Sequence, residues 1–246
     1  MQNLKKYFLV SFLLLFTIQG FANGTKIFSA RVDGVALILG EGGLASGAII
    51  SREGHILTNW HAIHENNNMK IIILGDGSAD ENTYQFQVIK HSQSQDLALL
   101  KLINPPRNLN VLNLSRVVPK IGEQVHAIGH PEGEIWSYSL GYISQHREDY
   151  EWSYDDSGRS FIADVYQMQT PINEGNSGGP LLNRFGNIVG INSFGFEAKQ
   201  GLNYAVSVKE IVKFKPSSSG TTDPKTIPKI VEICQTVQQV KPAPNK

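Results

Sequence analysis

The chain has 246 residues, with 22 Lys and Arg against 22 Asp and Glu, and 41% of its residues are hydrophobic. This composition is that of a globular protein, long enough for one large or two small domains, and not of a disordered or fibrous chain. The balanced charge argues against a nucleic-acid-binding protein, which usually carries a clear basic excess. With Cys234 as its one cysteine, the chain can form no intrachain disulfide and no multi-cysteine zinc site.

The first 22 residues have the pattern of a secretory signal peptide. Lys5 and Lys6 precede a mostly apolar run over 7–18, and Gly20 and Ala22 put small residues at the two positions that a signal peptidase inspects. A membrane-spanning helix needs about 20 apolar residues, so this run is too short to be one. We predict cleavage after Ala22 and export, and an exported chain without disulfides fits a bacterial periplasm or the medium. No later stretch is apolar for long enough to predict stable membrane insertion.

Short apolar runs between Gly, Asn and Asp turn signals predict about twelve strands with little helix between them. The alternation of strand and helix that a parallel sheet requires is absent, so the pattern favours an all-β sandwich or barrel. A short helix is predicted over 208–214. The predicted strands cover 35–39, 47–50, 55–58, 69–74, 84–89, 97–102, 124–128, 135–143, 161–168, 180–182, 187–191 and 202–206.

The tail of the chain differs in composition from the rest. Residues 216–228 are rich in Ser, Thr, Gly and Pro, which predicts a linker. The residues beyond it, with Cys234 among them, predict a loosely attached terminus. For Cys234 two interpretations stay open, a half-buried apolar residue and an intermolecular disulfide.

The most informative stretch is GNSGGP at 175–180. Ser177 lies there in a tight turn of small residues, with little bulk near its oxygen. The backbone N–H groups of Gly175 and Ser177 can point at one spot, where they would stabilise the oxyanion that forms when an acyl carbon is attacked. The alternative is a glycine-rich hairpin turn with an incidental serine.

A serine hydroxyl is a poor nucleophile at neutral pH and needs an adjacent base. His61 follows the predicted strand over 55–58 and is expected at the end of a strand, while Asp96 begins an apolar strand. The order His61, Asp96, Ser177 is one of the three chain orders known for this catalytic geometry.

Four stretches, SGAIISREGHILTNWHAI, DLALLKL, IGHPEG and INEGNSGGPLLN, resemble the trypsin-like (chymotrypsin-fold) serine proteases, most closely the bacterial HtrA/Deg-type protease domain. The resemblance extends from about residue 35 to residue 207. It implies an all-β fold of two six-stranded antiparallel Greek-key barrels with the active site in the cleft between them and a short C-terminal helical segment. It implies a leader over 1–22, an N-terminal barrel over 23–110, a C-terminal barrel over 111–215, and a linker and tail over 216–246.

The resemblance also assigns roles to residues. His61 and Asp96, on the N-terminal barrel, would be the general base and its orienting partner, and Ser177, on the C-terminal barrel, would be the nucleophile. The N–H groups of Gly175 and Ser177 would form the oxyanion hole. Substrate would bind along Thr170, Ile172, Asn173, Glu174, Ser193, Phe194 and Gly195.

The pocket for the residue before the cleaved bond has no acid at its expected floor, where Pro171 or Ile172 falls. We therefore expect small or medium apolar residues there, with Glu174 on the rim. The backbone over 193–195 is expected to pair with bound peptide as a strand. The alternative for Ser193 is an ordinary edge-strand residue whose hydroxyl meets water.

Several residues depart from the family pattern. Trp60 stands where a small or polar residue is usual, and either walls the cleft or packs beneath it. Asn176 replaces an aspartate that pairs with a newly cut N-terminus in digestive relatives, so activation by such a cut is not expected. Since 32 residues follow Phe214, we expect no PDZ domain after the protease.

No metal or other cofactor is expected. His61 and His64 form an H-x-x-H pair, but it lacks the glutamate of a metalloprotease helix.

Three functions compete. The first is a secreted or periplasmic serine endopeptidase acting on protein or peptide substrates. The second is a catalytically silent binding or scaffold protein on a protease fold. The third is a glutamate-specific endopeptidase of similar fold, which a histidine facing the pocket would favour. The sequence leaves the oligomeric state open.

Overall fold

The computed structural model describes residues 24–40, 43–64, 69–75, 82–153, 159–196 and 201–214. The predicted leader over 1–22 and the predicted linker and tail over 216–246, including Cys234, lie outside the described residues. In the part of the chain that is described, no helix is long and apolar enough to cross a membrane.

The N-terminal half forms an antiparallel sheet in the order β5-β4-β1-β2-β3-β7-β6. It has seven strands where six were predicted, because only Gln85 separates β5 from β6. β5 pairs with β4 at one edge of the sheet, while β6 pairs with β7 at the other edge. Counted as one bent strand, 83–92 joins both edges and closes a six-stranded ring. The strands are β1 (Val35–Gly40), β2 (Gly43–Ile49), β3 (His55–Thr58), β4 (Met69–Ile73), β5 (Thr83–Tyr84), β6 (Phe86–Ser92) and β7 (Leu97–Leu102).

The C-terminal half forms a closed antiparallel barrel in the order β10-β13-β12-β11-β8-β9. The predicted all-β class and the arrangement in two antiparallel sheets are confirmed. The strands are β8 (Gln124–Gly129), β9 (Ser137–Trp152), β10 (Phe161–Met168), β11 (Pro180–Leu182), β12 (Ile188–Gly195) and β13 (Asn203–Ser207).

Strand β9 is longer than the predicted 135–143. Its second half, SQHREDYEW, is largely polar and lacks the apolar alternation that marks a strand. It is nevertheless held by pairing with β10, from Ile143 opposite Met168 to Trp152 opposite Phe161. Long-range pairing thus extends a strand that the local sequence does not indicate.

Three short α-helices accompany the strands. The helix α3 (Val208–Lys213) was predicted, and the hydroxyl of Ser207 caps it by accepting the N–H of Glu210. The helix α1 (Gly24–Arg31) was not predicted and packs on the C-terminal barrel, with Phe28 edge-on to Tyr138. The helix α2 (Trp60–His64) contradicts the expectation that His61 ends a strand, because the chain leaves β3 and turns at once into a helix.

Apolar side chains fill both rings and the space between them. One buried cluster lies within the N-terminal sheet and includes Ile38, Ile56 and Leu100. Another lies within the C-terminal barrel around Met168 and Leu181. The largest cluster joins the two halves, since it contains side chains from both: Val35, Leu57 and Leu97 from the first, and Ile128, Phe161 and Val206 from the second. Residues at the facing edges of the two sheets are thereby brought together.

Candidate active site

Asp96 is fully buried in the turn between β6 and β7, with a left-handed φ of 53°. Its Oδ1 accepts the backbone N–H of His61 at 3.0 Å. Both carboxylate oxygens lie 2.9 Å from Nδ1 of the His61 ring. Because a carboxylate only accepts hydrogen bonds, we assign the ring proton to Nδ1, which leaves Nε2 as the acceptor nitrogen of neutral His61.

Two further side chains fix Asp96. The amide of Asn59 donates to its backbone carbonyl at 2.9 Å. The hydroxyl of Ser193 donates to Oδ2 of Asp96 at 2.6 Å. This contact excludes the alternative in which the hydroxyl meets water, since Ser193 is 1% exposed and its hydroxyl contacts a buried carboxylate. A hydrogen bond to an ionised group is stronger than one between neutral groups, so Ser193 stabilises the ionised carboxylate.

Ser177 lies half-buried in the turn between β10 and β11. The turn needs glycine at two positions, since Gly175 has φ +92° and Gly178 has φ +84°. Packing excludes side chains there as well. A Cβ at 175 would overlap the backbone oxygen of His130, and one at 178 would overlap the hydroxyl of Thr58.

The hydroxyl of Ser177 donates to the backbone carbonyl of Ser193 at 2.9 Å. Within the described residues, the Ser177 hydroxyl makes this hydrogen bond and none to the His61 ring. Ser193 thus contacts Ser177 through its carbonyl and Asp96 through its hydroxyl. The structure brings the three predicted residues into one chain of hydrogen bonds, His61 to Asp96 to Ser193 to Ser177.

The N–H groups of the turn around Ser177 fall into two sets. Those of Asn176, Gly178 and Gly179 donate to backbone carbonyls at 2.9 to 3.0 Å. Those of Gly175 and Ser177 donate no hydrogen bond within the part of the chain that the structure describes. These two are the groups that the sequence predicted to form an oxyanion hole.

The peptide between Glu174 and Gly175 has a fixed orientation. Its carbonyl accepts the N–H of Glu132 at 2.8 Å, from the 3₁₀ turn Pro131–Gly133. The chain has no cis peptide among the described residues, so the N–H of Gly175 points to the side opposite this carbonyl. Contact with Glu132 therefore sets the direction of one candidate oxyanion donor.

His130, for which the sequence suggested no role, is fully buried beside this turn. Its Nδ1 accepts the N–H of Trp136 at 2.9 Å. Burial lowers the pKa of His130 to about 4, because desolvation disfavours the charged ring. His130 is thus a neutral packing element whose backbone abuts Gly175.

The predicted substrate-binding residues lie on two sides of the side-chain amide of Asn203. The N–H of Ile172 donates to Oδ1 of Asn203 at 3.3 Å, and a Cβ at position 195 would lie 2.6 Å from the same oxygen. Thr170 is fully buried, whereas Asn173 and Glu174 are exposed, as the rim position of Glu174 requires. The segments 170–174 and 193–195 therefore meet at Asn203.

Two aromatic residues near the site point into the core. Trp60 is 5% exposed, stacks on His64 with ring centroids 4.1 Å apart and approaches Phe161. It packs beneath the site and does not wall the cleft. The ring of Phe194 stacks between Trp152 and Tyr204, at 4.7 and 4.6 Å, so this residue offers substrate its backbone more than its ring.

Sequence reasoning missed two polar residues of the site, Ser46 and Asn59. Ser46 donates to the carbonyls of Gly175 and Ser177, at 2.7 and 2.8 Å. One signal was present for it, since a fully buried serine within the apolar strand β2 needs a hydrogen-bond partner.

Comparison with known proteins identifies the family of this chain. A family model described as "Trypsin-like peptidase domain" matches residues 45–191. The Arabidopsis thaliana protein "Protease Do-like 1, chloroplastic" is 32% identical over 173 residues, 69% of this chain and 38% of that protein. A Pseudomonas putida protein named "Probable periplasmic serine endoprotease DegP-like" is 34% identical over 173 residues, 67% of this chain and 32% of that protein.

A solved structure has the same fold. The serine endoprotease from Yersinia pestis superimposes with a TM-score of 0.63 at 28% identity, over 78% of this chain and 64% of that chain. The chain spans less than two fifths of the length of the two curated relatives named above. It belongs to the family of trypsin-like peptidases, and its homology to the HtrA/Deg proteases lies in their protease domain.

Proposed function

We propose that this protein is a serine endopeptidase that cleaves peptide bonds through Ser177, His61 and Asp96. Family membership supports peptide hydrolysis. The observation that carries the residue assignment is the bridge through Ser193, whose hydroxyl contacts Asp96 at 2.6 Å while its carbonyl accepts from Ser177 at 2.9 Å. This bridge brings a buried carboxylate, an imidazole and a hydroxyl to one place.

The chemistry follows from these contacts. Nε2 of His61 takes the proton of Ser177 as Oγ bonds to the scissile carbonyl carbon, and then gives that proton to the leaving amine. Asp96 holds the imidazole in the right tautomer and stabilises the imidazolium, without taking the proton. Water then attacks the acyl-enzyme, with His61 again as the base, and releases the product acid and free Ser177.

Before this reaction the hydroxyl of Ser177 must leave the carbonyl of Ser193. A rotation about χ1 moves Oγ from one staggered position to another without moving the backbone. A peptide bound along 193–195 as an added strand brings its own N–H groups to this edge. It then competes for the carbonyl of Ser193, so substrate binding frees the hydroxyl to turn toward His61.

The developing oxyanion would be stabilised by the N–H groups of Gly175 and Ser177, which have no other acceptor among the described residues. For the residue before the cleaved bond we propose small or medium apolar side chains. The contact between the two pocket segments is a neutral amide, Asn203, and provides no charge to select Lys or Arg.

The same proposal includes export and domain division. A leader over 1–22 would direct the chain to the periplasm or medium, in keeping with the name of the periplasmic relative. The N-terminal domain would cover 23–110 and the C-terminal domain 111–215. The first sheet ends at Leu102 and the second begins at Gln124, which supports a boundary between them.

One observation favours the second candidate function, a catalytically silent scaffold. The hydroxyl of Ser177 donates its hydrogen bond to the carbonyl of Ser193 and not to the ring of His61. If this state is permanent, the protein binds peptide without cleaving it.

Labelling with a fluorophosphonate probe separates the two candidates. We expect the folded wild type to gain one covalent adduct on Ser177, and Ser177→Ala to gain none. Ser115→Ala, which removes a buried hydroxyl away from the site, is the matched control and should label like the wild type. Folded wild type that neither labels nor hydrolyses denatured casein would overturn the proposal. Mapping the cleaved bonds then tests the pocket, because cleavage after glutamate would favour the third function over apolar selection.

A further inference from the structure

Ser46 joins the N-terminal sheet to the turn that carries Ser177. It lies in β2 and is fully buried. Its hydroxyl donates to the carbonyl of Gly175 at 2.7 Å, across 129 residues of sequence. Its backbone N–H donates to the carbonyl of Ser177 at 2.8 Å. One residue therefore binds both of the residues whose N–H groups are the candidate oxyanion donors.

These two hydrogen bonds restrain the turn on either side of Asn176. The carbonyl of Gly175 shares a rigid peptide plane with the N–H of Asn176, and that of Ser177 shares one with the N–H of Gly178. Those two N–H groups donate in turn to Asn173 at 3.0 Å and to Asn192 at 2.9 Å. Each plane is thus held at both its carbonyl and its N–H end, so neither can rotate freely.

Ser46 is itself firmly placed. The hydroxyl of Thr58 donates to its carbonyl at 2.8 Å. A Cβ added at Gly129 would lie 3.0 Å from the hydroxyl oxygen of Ser46. A Cβ added at Gly179 would lie 3.0 Å from the Cβ of Ser46. These close neighbours and the hydrogen bond from Thr58 restrict the position of Ser46 relative to the turn.

We propose that Ser46 is a positioning residue: by holding the peptide planes that follow Gly175 and Ser177, it keeps the turn that carries both oxyanion donors in its reactive conformation. The inference rests on the proposed function. Oxyanion stabilisation depends on donors that are already oriented before charge develops, so a turn that can rotate loses part of that stabilisation. Ser46 acts through the turn and does not touch the substrate.

The test compares the steady-state kinetics of Ser46→Ala and wild type on a peptide taken from a bond that the wild type cleaves in casein. Removal of one oxyanion donor costs about 10² to 10³ in kcat, and loosening a pair that remains in place should cost less. We therefore expect kcat of Ser46→Ala to fall about 10- to 100-fold, with KM within about twofold of the wild type. Oxyanion charge exists only in the transition state, which is why the loss falls on kcat.

Two further variants separate positioning from stability. Ser46→Cys keeps a weak donor on a somewhat larger atom, and its kcat should lie between those of wild type and Ser46→Ala, which a general loss of packing does not predict. Ser115→Ala also loses a buried hydroxyl, away from the site, and should leave kcat unchanged. If Ser46→Ala does not fold, the kcat of Ser46→Cys alone decides.

The outcomes of this test are distinguishable from those of the proposed function. An active wild type with an equally active Ser46→Ala would overturn the inference and leave the proposed function standing. The same holds if Ser46→Ala raises KM while kcat is unchanged. A folded wild type without labelling or hydrolysis would overturn both.

Discussion

The hydroxyl of Ser193 donates to Oδ2 of Asp96 at 2.6 Å. Ser193 belongs to β12 of the C-terminal barrel, whereas Asp96 lies between β6 and β7 of the N-terminal sheet. This contact joins the two halves at the site. It also links the strand that we propose to bind substrate directly to the candidate catalytic carboxylate.

The first prediction concerns this contact. Ser193→Ala leaves Oδ2 of Asp96 without its hydroxyl donor, and hydrogen bonds to charged groups contribute about 1.5–3 kcal/mol. We expect the free energy of unfolding to fall by about that amount, measured by urea denaturation of the Ser177→Ala protein to avoid self-digestion. Ser115→Ala removes a hydroxyl whose partners, the backbone of Val117 and the amide of Asn183, are all uncharged, and should cost less than Ser193→Ala. Equal losses in the two variants would contradict a charge-assisted bond.

The second prediction separates backbone strain from steric overlap at the turn around Ser177. Gly175 and Gly122 both have positive φ, +92° and +81°. A Cβ at 175 would overlap the His130 backbone, whereas a Cβ at 122 meets nothing within 4 Å. Gly122→Ala should cost only the strain of a left-handed alanine, about 1–2 kcal/mol, with normal activity. Gly175→Ala must also move the backbone and should lose nearly all hydrolysis. Retention of full activity by Gly175→Ala would show that the turn is not constrained as described.

The third prediction is a pH dependence of stability through His130. Burial lowers its pKa to about 4 in the folded protein, below the ordinary value of about 6.5 for an unfolded chain. The unfolded chain therefore binds the proton more readily. The contribution of His130 to stability is complete above about pH 6.5 and is lost as the pH falls toward about 4, up to about 3 kcal/mol.

The measurement is the free energy of unfolding of Ser177→Ala between pH 7 and pH 4, with and without His130→Gln. Glutamine can accept the N–H of Trp136 but does not titrate. The curve with His130→Gln should fall less steeply on acidification than the curve with His130. Parallel curves would exclude His130 as the source of the dependence.

The fourth prediction concerns a second link between the halves. The amide of Gln95, next to Asp96, donates to Oε2 of Glu210 in α3 at 2.6 Å. Because the Glu210 side chain is 10% exposed, a double-mutant cycle of Gln95→Leu and Glu210→Leu should give a coupling of about 1 kcal/mol or more. Lys213 also contacts Glu210 but is 62% exposed, so Lys213→Met should destabilise the protein less than loss of the Gln95 contact does. Additive effects of the two leucine substitutions would contradict the link.

Much of the fold could be predicted from the sequence, because short apolar runs between turn residues indicate strands with one buried face. That signal located β1, β3, β7, β10 and β11 to within a residue or so. It failed for the polar half of β9, which is held by pairing with β10. It also failed for α1, whose eight residues include only one that is buried, Ile27.

The residues of the site were predictable where they are contiguous in sequence, as in the glycine turn around Ser177. Contacts between residues distant in sequence, such as that of Ser46 with Gly175, were not predictable. No local sequence pattern indicates which carbonyl accepts the hydrogen bond of a buried hydroxyl. The contact of the Ser193 hydroxyl with Asp96 was not predicted for the same reason, since the two residues lie 97 positions apart.

The claim on which the account depends is that His61 and Ser177 act as one unit. The most direct measurement is the rate of casein hydrolysis by His61→Ala, by Ser177→Ala and by the double variant, each compared with the wild type. Residues that act as a unit are strongly non-additive, so the double variant should be about as slow as either single variant. A His61→Ala protein that keeps most of its activity, or a double variant slowed by the product of the two single effects, would contradict the account.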